Sequence, residues 1–245
     1  MTRLHSRSQV VPAIAFLRRP LSPERKLGLN LMIGVAVLIA ACWIFGEITE
    51  DVITGEPLIR VDQSLADYFH AHATPLRNKI MFAISFFGSG VVLAAASSAV
   101  GLYFVWRRSW YRLLVLVLVA PGGALINVLI KHLIHRQRPV FENPIATLNS
   151  FSFPSGHTMG ATLFYGLMAA LAVQRFQRWK AKGGAALSAV IIVLLVGFSR
   201  ICLGLHYLSD VLGAIAAGVA WLALCLIAVE TFRCRREKCS PHFPL

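Results

Sequence analysis

Long uncharged stretches alternate with short polar segments along most of the chain. A helix needs roughly 20 apolar residues to cross the hydrocarbon core of a bilayer, which is about 30 Å thick. Two of the stretches are shorter than this and reach it only when their polar end residues are included. Six stretches are apolar: Leu27–Phe45, Ile80–Trp106, Leu113–Ile130, Thr158–Val173, Ala185–Phe198 and Val211–Val229. The pattern predicts an all-α, polytopic membrane protein with six transmembrane helices.

The composition supports this interpretation over a soluble helical bundle. Of the 245 residues, 57% are hydrophobic and 14% are charged, whereas soluble domains carry about 25% charged residues. The first apolar stretch is too long for the core of a signal peptide and has no convincing cleavage site, so a retained helix is expected. The five cysteines form no CxxC pair, and neither a disulfide framework nor a zinc site is expected.

The net charge of +13 would suggest a nucleic-acid partner on a soluble protein, but the positions of the charges favour a membrane. With the N-terminus in the cytoplasm, the inner segments hold 17 of the 24 lysines and arginines. This is the positive-inside pattern of membrane proteins. We therefore expect basic cytoplasmic tails over residues 1–26 and 231–245, a six-helix membrane domain over residues 27–230, and no nucleic-acid partner.

Two further segments have readable patterns. In the first outer loop, Val61, Leu65 and Phe69 share one face of a short helix, which could be interfacial or an ordinary solvated helix. Inside the third stretch, Pro121-Gly122-Gly123 is expected to loosen the helix or to allow close packing.

Polar residues gather at the ends of the last four stretches. Because consecutive spans alternate in direction, all of these ends lie on the same, outer side of the membrane. Ionisable groups at the edge of the hydrocarbon are costly and are functional candidates. The residues concerned are Lys131, Arg138, His157, Arg200, His206 and Asp210.

These residue types suit a phosphoryl group. The run Pro154-Ser155-Gly156-His157 enters a helix, whose N-terminal N–H groups favour an anion. His206 and Asp210 are four residues apart on one helix face, so the carboxylate can orient the imidazole. One histidine can attack phosphorus while another protonates the leaving oxygen. The sequence shows neither a Walker loop nor an acidic cluster typical of magnesium sites, so we expect the cations to stabilise the developing charge.

The identity and spacing of these residues resemble those of a known family. Lys131-x6-Arg138-Pro139, Pro154-Ser155-Gly156-His157 and Ser199-Arg200-x5-His206-x3-Asp210 look like the three-part motif of the type 2 phosphatidic acid phosphatase and haloperoxidase superfamily. The motif covers residues 131–210, and the six apolar stretches extend the likeness over most of the chain. They place it in the membrane lipid phosphatase branch, because haloperoxidases resemble soluble proteins.

The resemblance implies a role for each matching residue. His206 would be the nucleophile that becomes phosphorylated, Asp210 would orient it, and His157 would be the general acid. The phosphate ligands would be Lys131, Arg138, Ser155, Gly156 and Arg200, with Pro139, Pro154 and Ser199 supporting the motif. His132 and His135 lie off the motif and are not expected to be catalytic, and Arg136 is expected to contribute much less than Lys131, Arg138 or Arg200.

The expected activity is metal-independent hydrolysis of a phosphate monoester or diphosphate on a lipid, without a cofactor, at the outer face of the cell membrane (the periplasmic face in a bacterium). The candidate lipids are undecaprenyl diphosphate, phosphatidylglycerophosphate and phosphatidic acid, and the motif does not choose among them. A lipid phosphotransferase, which would pass the phosphoryl group to an acceptor lipid, is an alternative. A transporter or structural membrane protein fits the complete motif poorly.

Overall fold

The computed structural model describes residues 23–55, 57–146 and 148–239. Within them the chain is helical, and no strand occurs. The helices are α1 (Pro23–Thr54), α2 (Pro57–Ala71), α3 (Pro75–Phe86), α4 (Gly90–Trp106), α5 (Trp110–Ile134), α6 (Gly156–Arg175), α7 (Trp179–Cys202) and α8 (Leu208–Cys239). The chain divides into two units, residues 1–33 and 34–245. The boundary lies within α1, and the candidate site described below lies in the second unit.

Among the described residues, six helical segments are long and apolar enough to cross a membrane, which confirms the predicted number of spans. The fourth has the lowest mean hydropathy, 1.2, because polar residues occupy its first turns. The segments are Gly28–Thr54, Pro75–Trp106, Trp110–Ile134, Gly156–Arg175, Trp179–Cys202 and Leu208–Cys234. All six are longer than the apolar stretches that predicted them, because their helices continue through residues at the ends.

The second span is broken, which the sequence did not predict. It consists of α3 and α4, and the two helices meet at Phe87–Ser89. A Cβ atom on Gly88 would lie 2.4 Å from Cγ1 of Val196 and 3.1 Å from the carbonyl oxygen of His157. The hydroxyl of Tyr165 donates to the carbonyl of Phe87 at 3.0 Å. The break therefore packs directly against α6 and α7.

Helix α6 lies at the centre of the core and contacts α4, α5, α7 and α8. Met159, Leu163 and Leu167 are four residues apart, share one face and are almost fully buried. The Pro121-Gly122-Gly123 segment remains helical within α5, and a Cβ on Gly123 would lie 2.1 Å from Cδ1 of Leu163. Gly123 thus allows close packing of α5 against α6.

Helix α2 packs against α7 and α8 through one buried face. Asp62 and Ala66, one turn apart, are 1% and 3% exposed. The guanidinium of Arg77, at the start of α3, donates to the carbonyl oxygen of Phe69 at 2.7 Å and to that of Cys202 at 3.2 Å. These bonds tie the corner between α2 and α3 to the C-terminal end of α7.

Candidate active site

The motif residues come from the ends of four helices. Lys131 lies in the last turn of α5, Ser155 precedes α6, Arg200 ends α7, and Asp210 lies in the first turn of α8. The loop of residues 135–155 joins α5 to α6, and residues 203–207 join α7 to α8. The backbone N–H of Ser155 donates to the carbonyl of Asp210 at 3.0 Å, which fixes α6 against α8. These helix ends therefore lie close together in the structure.

His206 and Asp210 form the centre of the site. Both are buried, and Nδ1 of His206 lies 3.2 Å from Oδ2 of Asp210. On the other side of the ring, Nη1 of Arg138 lies 3.1 Å from Nε2 of His206. An arginine has donors only, so Nε2 must be the acceptor and Nδ1 carries the proton that points to Asp210. The ring thus has the tautomer that leaves a lone pair on Nε2.

Donors surround the carboxylate of Asp210. Besides His206, Oδ2 accepts from the backbone N–H of Tyr207 at 2.9 Å and from the hydroxyl of Ser152. Oδ1 accepts from Nη1 of Arg136 at 2.6 Å. These bonds hold the carboxylate in its ionised form and in one orientation.

Arg138 connects the α5–α6 loop to the segment before α8. Its guanidinium donates to the carbonyl of Leu205 at 2.5 Å and to the carbonyl of Ser150 at 2.6 Å, in addition to its contact with His206. Arg138 therefore lies next to Nε2 of His206, the atom expected to attack phosphorus.

Lys131 binds the protein itself. Its ammonium donates to the carbonyl of Phe151 at 2.5 Å and to that of Ser152 at 3.3 Å. A lysine carries three N–H donors, so one remains for a ligand. Lys131 therefore holds the loop segment before Pro154 and places a positive charge beside Phe151 and Ser152.

Ser155 takes the N-cap position of α6, as its place before Gly156 predicts, but its side chain makes no capping bond. Its hydroxyl instead accepts a hydrogen bond from that of Thr158 at 3.0 Å. The first N–H groups of a helix lack intrahelical partners, so those of Gly156 and His157 can receive an anion. Arg200 and Arg138 lie close enough to interact electrostatically with His157.

Arg200 is 4% exposed. Its Nη1 donates to the hydroxyl of Ser85 on α3 at 2.7 Å, and its Nε has no partner among the described residues. Ser85, which lies just before the break in the second span, thus orients Arg200 at the end of the fifth span.

The motif-supporting residues lie around these groups. Ser199 is fully buried, and its hydroxyl donates to the carbonyl of Val196 within α7. The carbonyl of Pro154 accepts from the amide of Asn127 on α5 at 3.4 Å. Pro139 lines an open groove of about 350 Å³, which the α5–α6 loop forms with Gly204 and Leu205. Arg138 lies between this groove and His206.

Burial and neighbouring charges set the electrostatics of the loop residues. Burial lowers the pKa of His206 to about 3, against the opposing effect of Asp210, and the positive charges of Arg138 and Arg200 lower it further. The ring is therefore neutral at physiological pH. Burial also lowers the pKa of Arg138. It acts in the same direction on Arg136, but Asp210 and Asp62 outweigh it and raise the pKa of that guanidinium.

A second group of polar residues in the site was not recognisable from the sequence. Arg136 is bonded to both Asp62 and Asp210. The expectation that it contributes much less than Lys131, Arg138 or Arg200 remains a prediction. The signal in the sequence was weak: an arginine two residues before a motif arginine and an acid on an amphipathic helix. The other members are Ser85, Asn127, Ser152 and Ser209. Among the described residues, no group of three or more histidines, cysteines and acids could hold a metal ion.

Comparisons with known proteins agree with the motif. The profile of the PAP2 superfamily matches residues 110–234. The chain is 37% identical over 147 residues to phosphatidylglycerophosphatase B of Bacillus subtilis, a match that covers 59% of this chain and 71% of that protein. It is 35% identical over 102 residues to undecaprenyl-diphosphatase BcrC of Bacillus subtilis, covering 40% of this chain and 48% of the relative.

A solved structure shares the fold. The crystal structure of a transmembrane PAP2-type phosphatidylglycerolphosphate phosphatase from Bacillus subtilis has a TM-score of 0.70 and 28% identity, and the match covers 84% of this chain and 98% of that one. This chain belongs to the PAP2 superfamily, and these relatives are lipid phosphatases.

Proposed function

We propose that this membrane protein hydrolyses a phosphate monoester or diphosphate on a lipid through a phosphohistidine intermediate. One observation carries the mechanism: the neutral ring of His206 is held between Asp210 at Nδ1 and Arg138 at Nε2. A buried imidazole in this arrangement has an oriented lone pair next to a cation that can bind a phosphate oxygen.

The reaction has two steps. In the first, Nε2 of His206 attacks phosphorus, the N–P bond forms, and the P–O bond to the lipid breaks while His157 gives its proton to the leaving oxygen. In the second, His157 takes a proton from water, the water oxygen attacks phosphorus, and the N–P bond breaks to release phosphate. Asp210 stabilises the positive charge that develops on the ring in the first step.

The cations and the start of α6 account for the binding of the phosphoryl group. Arg138 lies at the nucleophile, Arg200 has unused donors, and Lys131 has one donor left. A transferring phosphoryl group requires mainly positioning and charge stabilisation, which preorganised donors supply.

The substrate is proposed to be an anionic lipid presented from the bilayer. Phosphatidylglycerophosphate is the first lipid to test, because the relative that matches over 71% of its length is a phosphatidylglycerophosphatase. Undecaprenyl diphosphate and phosphatidic acid complete the set. The test is release of inorganic phosphate from each lipid by purified protein in detergent. Hydrolysis of at least one lipid supports the proposal, and no release from any of them contradicts it.

We further propose that both termini are cytoplasmic and that the site faces outward. An even number of spans among the described residues supports termini on the same side, and the basic inner segments favour the cytoplasm as that side. A cysteine introduced at the exposed Asn149 should react with an impermeant reagent applied from outside. Labelling of this position from the cytoplasmic side alone would refute the topology.

A further inference from the structure

Arg136 bridges two buried carboxylates that are far apart in the sequence. Its Nη1 lies 2.6 Å from Oδ1 of Asp210 and its Nη2 lies 2.7 Å from Oδ2 of Asp62. The side chains of both acids are 0% exposed, and that of Arg136 is 10% exposed. Its guanidinium also stacks on the ring of Tyr207, 4.5 Å from the ring centroid.

Ser209 completes the network. Its hydroxyl accepts from Nη1 of Arg136 at 2.6 Å and donates to Oδ2 of Asp62, and its backbone N–H donates to Oδ1 of Asp62 at 2.9 Å. Asp62 therefore holds the first turn of α8 and the guanidinium of Arg136 at the same time. Asp62 belongs to α2, which lies outside residues 110–234, the part of the chain that carries the family profile.

The two oxygens of Asp210 have different partners. Oδ2 accepts hydrogen bonds from His206, Ser152 and the backbone N–H of Tyr207. Oδ1 accepts one from Arg136. Both Nη atoms of Arg136 are bonded to carboxylates, so this arginine is not arranged to bind phosphate. Buried ion pairs add little net stability over apolar packing, and such groups are instead suited to fixing the orientation of a functional side chain.

We propose that Asp62 and Arg136 are positioning residues for the reaction proposed above. Asp62 fixes the guanidinium of Arg136, and Arg136 fixes the plane of the Asp210 carboxylate so that Oδ2 faces Nδ1 of His206. The inference rests on the proposed function, because it requires His206 as the nucleophile. Neither residue touches the substrate, so their loss slows turnover and leaves substrate binding largely unchanged.

The experiment compares Arg136→Ala, Arg136→Lys and Asp62→Asn with wild type. The controls are Arg60→Ala and Asp67→Asn, which change exposed residues of the same helix α2. The values of kcat and KM are measured in detergent with the lipid that wild type hydrolyses best.

We expect Arg136→Ala to lower kcat about 10- to 100-fold, by analogy with the loss of activity when a partner that orients a metal-binding side chain is removed. Its KM should stay within about threefold of wild type, because binding in the ground state is retained. Asp62→Asn should lower kcat in the same way but by less. Arg136→Lys should recover part of the loss, and both controls should match wild type.

A second background separates positioning from a general structural role. When Arg136→Ala is added to the Asp210→Asn variant, the residual kcat should change by less than about twofold. The reason is that Asp210, through which Arg136 acts, is already altered in that variant. An equal loss in both backgrounds, or a higher KM with unchanged kcat, would overturn the inference. If wild type hydrolyses lipid and Arg136→Ala is equally active, the inference is wrong while the proposed function stands. If wild type hydrolyses none of the lipids, both the proposed function and the inference are wrong.

Discussion

Arg200 offers the clearest test of how the site binds phosphate. The side chain is almost fully buried, and among the described residues its guanidinium has one hydrogen-bond partner, the hydroxyl of Ser85. An arginine has five N–H donors. A buried cation with unused donors is costly to the folded protein, and an anionic substrate would satisfy it.

The expected magnitude follows from this geometry. Arg200→Ala removes a preorganised donor, which costs about 3 kcal/mol of transition-state stabilisation, or a hundredfold or more in kcat/KM. The kcat/KM of Arg200→Lys should lie between those of wild type and Arg200→Ala, since an ammonium group cannot bind two oxygens in the planar manner of a guanidinium. Ser85→Ala removes the bond that orients Arg200 and should lower kcat/KM about tenfold, equivalent to roughly 1.4 kcal/mol.

The stability of the Arg200→Ala variant should not decrease together with its activity. Arg200→Ala removes a poorly compensated buried charge, so the thermal unfolding midpoint in detergent should stay equal to that of wild type or rise. The assays are kcat/KM with the preferred lipid and a thermal melt, with Arg178→Ala, an exposed arginine before the other end of α7, as the control. A variant that keeps its activity and melts several degrees lower would show that Arg200 is structural and refute the reasoning.

Three further results are expected. His157→Ala should be severely impaired on a lipid phosphate and partly spared on a substrate whose leaving group has a low pKa, because that group needs less protonation; equal loss on both substrates would argue against a general acid. Hydrolysis should survive chelation of divalent ions and be inhibited by vanadate, and activity restored only by magnesium would oppose the proposed mechanism. Burial lowers the pKa of His206 from 6.5 to about 3, so the folded protein excludes a proton that the unfolded chain binds. The stability from this residue is complete above pH 6.5 and is lost as the pH falls toward 3. Between pH 8 and pH 4 the thermal unfolding midpoint should therefore decrease more steeply for wild type than for His206→Asn. Parallel pH dependences of the two midpoints would contradict the lowered pKa.

The spans and the motif could be predicted because both are local in the sequence. Hydropathy over some 20 residues reports burial in lipid, and His206 and Asp210 are one helical turn apart, so their contact follows from α-helical spacing. The helix ends come together because alternating spans place them on one side. None of this required knowledge of tertiary packing.

The rest of the site depends on packing that no local pattern reports. The break between α3 and α4 follows no proline, and it forms where Gly88 packs against Val196 and His157. Asp62 looks like any acid on a loop helix, and Arg136 like a charge beside the motif. Their ion pair joins residues 74 positions apart, and only the packing of α2 against α8 places them together. The expectation that Arg136 contributes less than the motif cations was made without this network, and it remains a prediction.

The central claim is that a phosphoryl group passes through His206, and a rapid-quench experiment tests it most directly. Protein is mixed with lipid substrate labelled in the reacting phosphate, quenched in alkali to preserve phosphohistidine, and digested to map the label. We predict an acid-labile label on His206 in wild type, and no label in His206→Ala protein that still binds substrate. A label on His157, or a His206→Ala variant that turns over near the wild-type rate, would contradict the account.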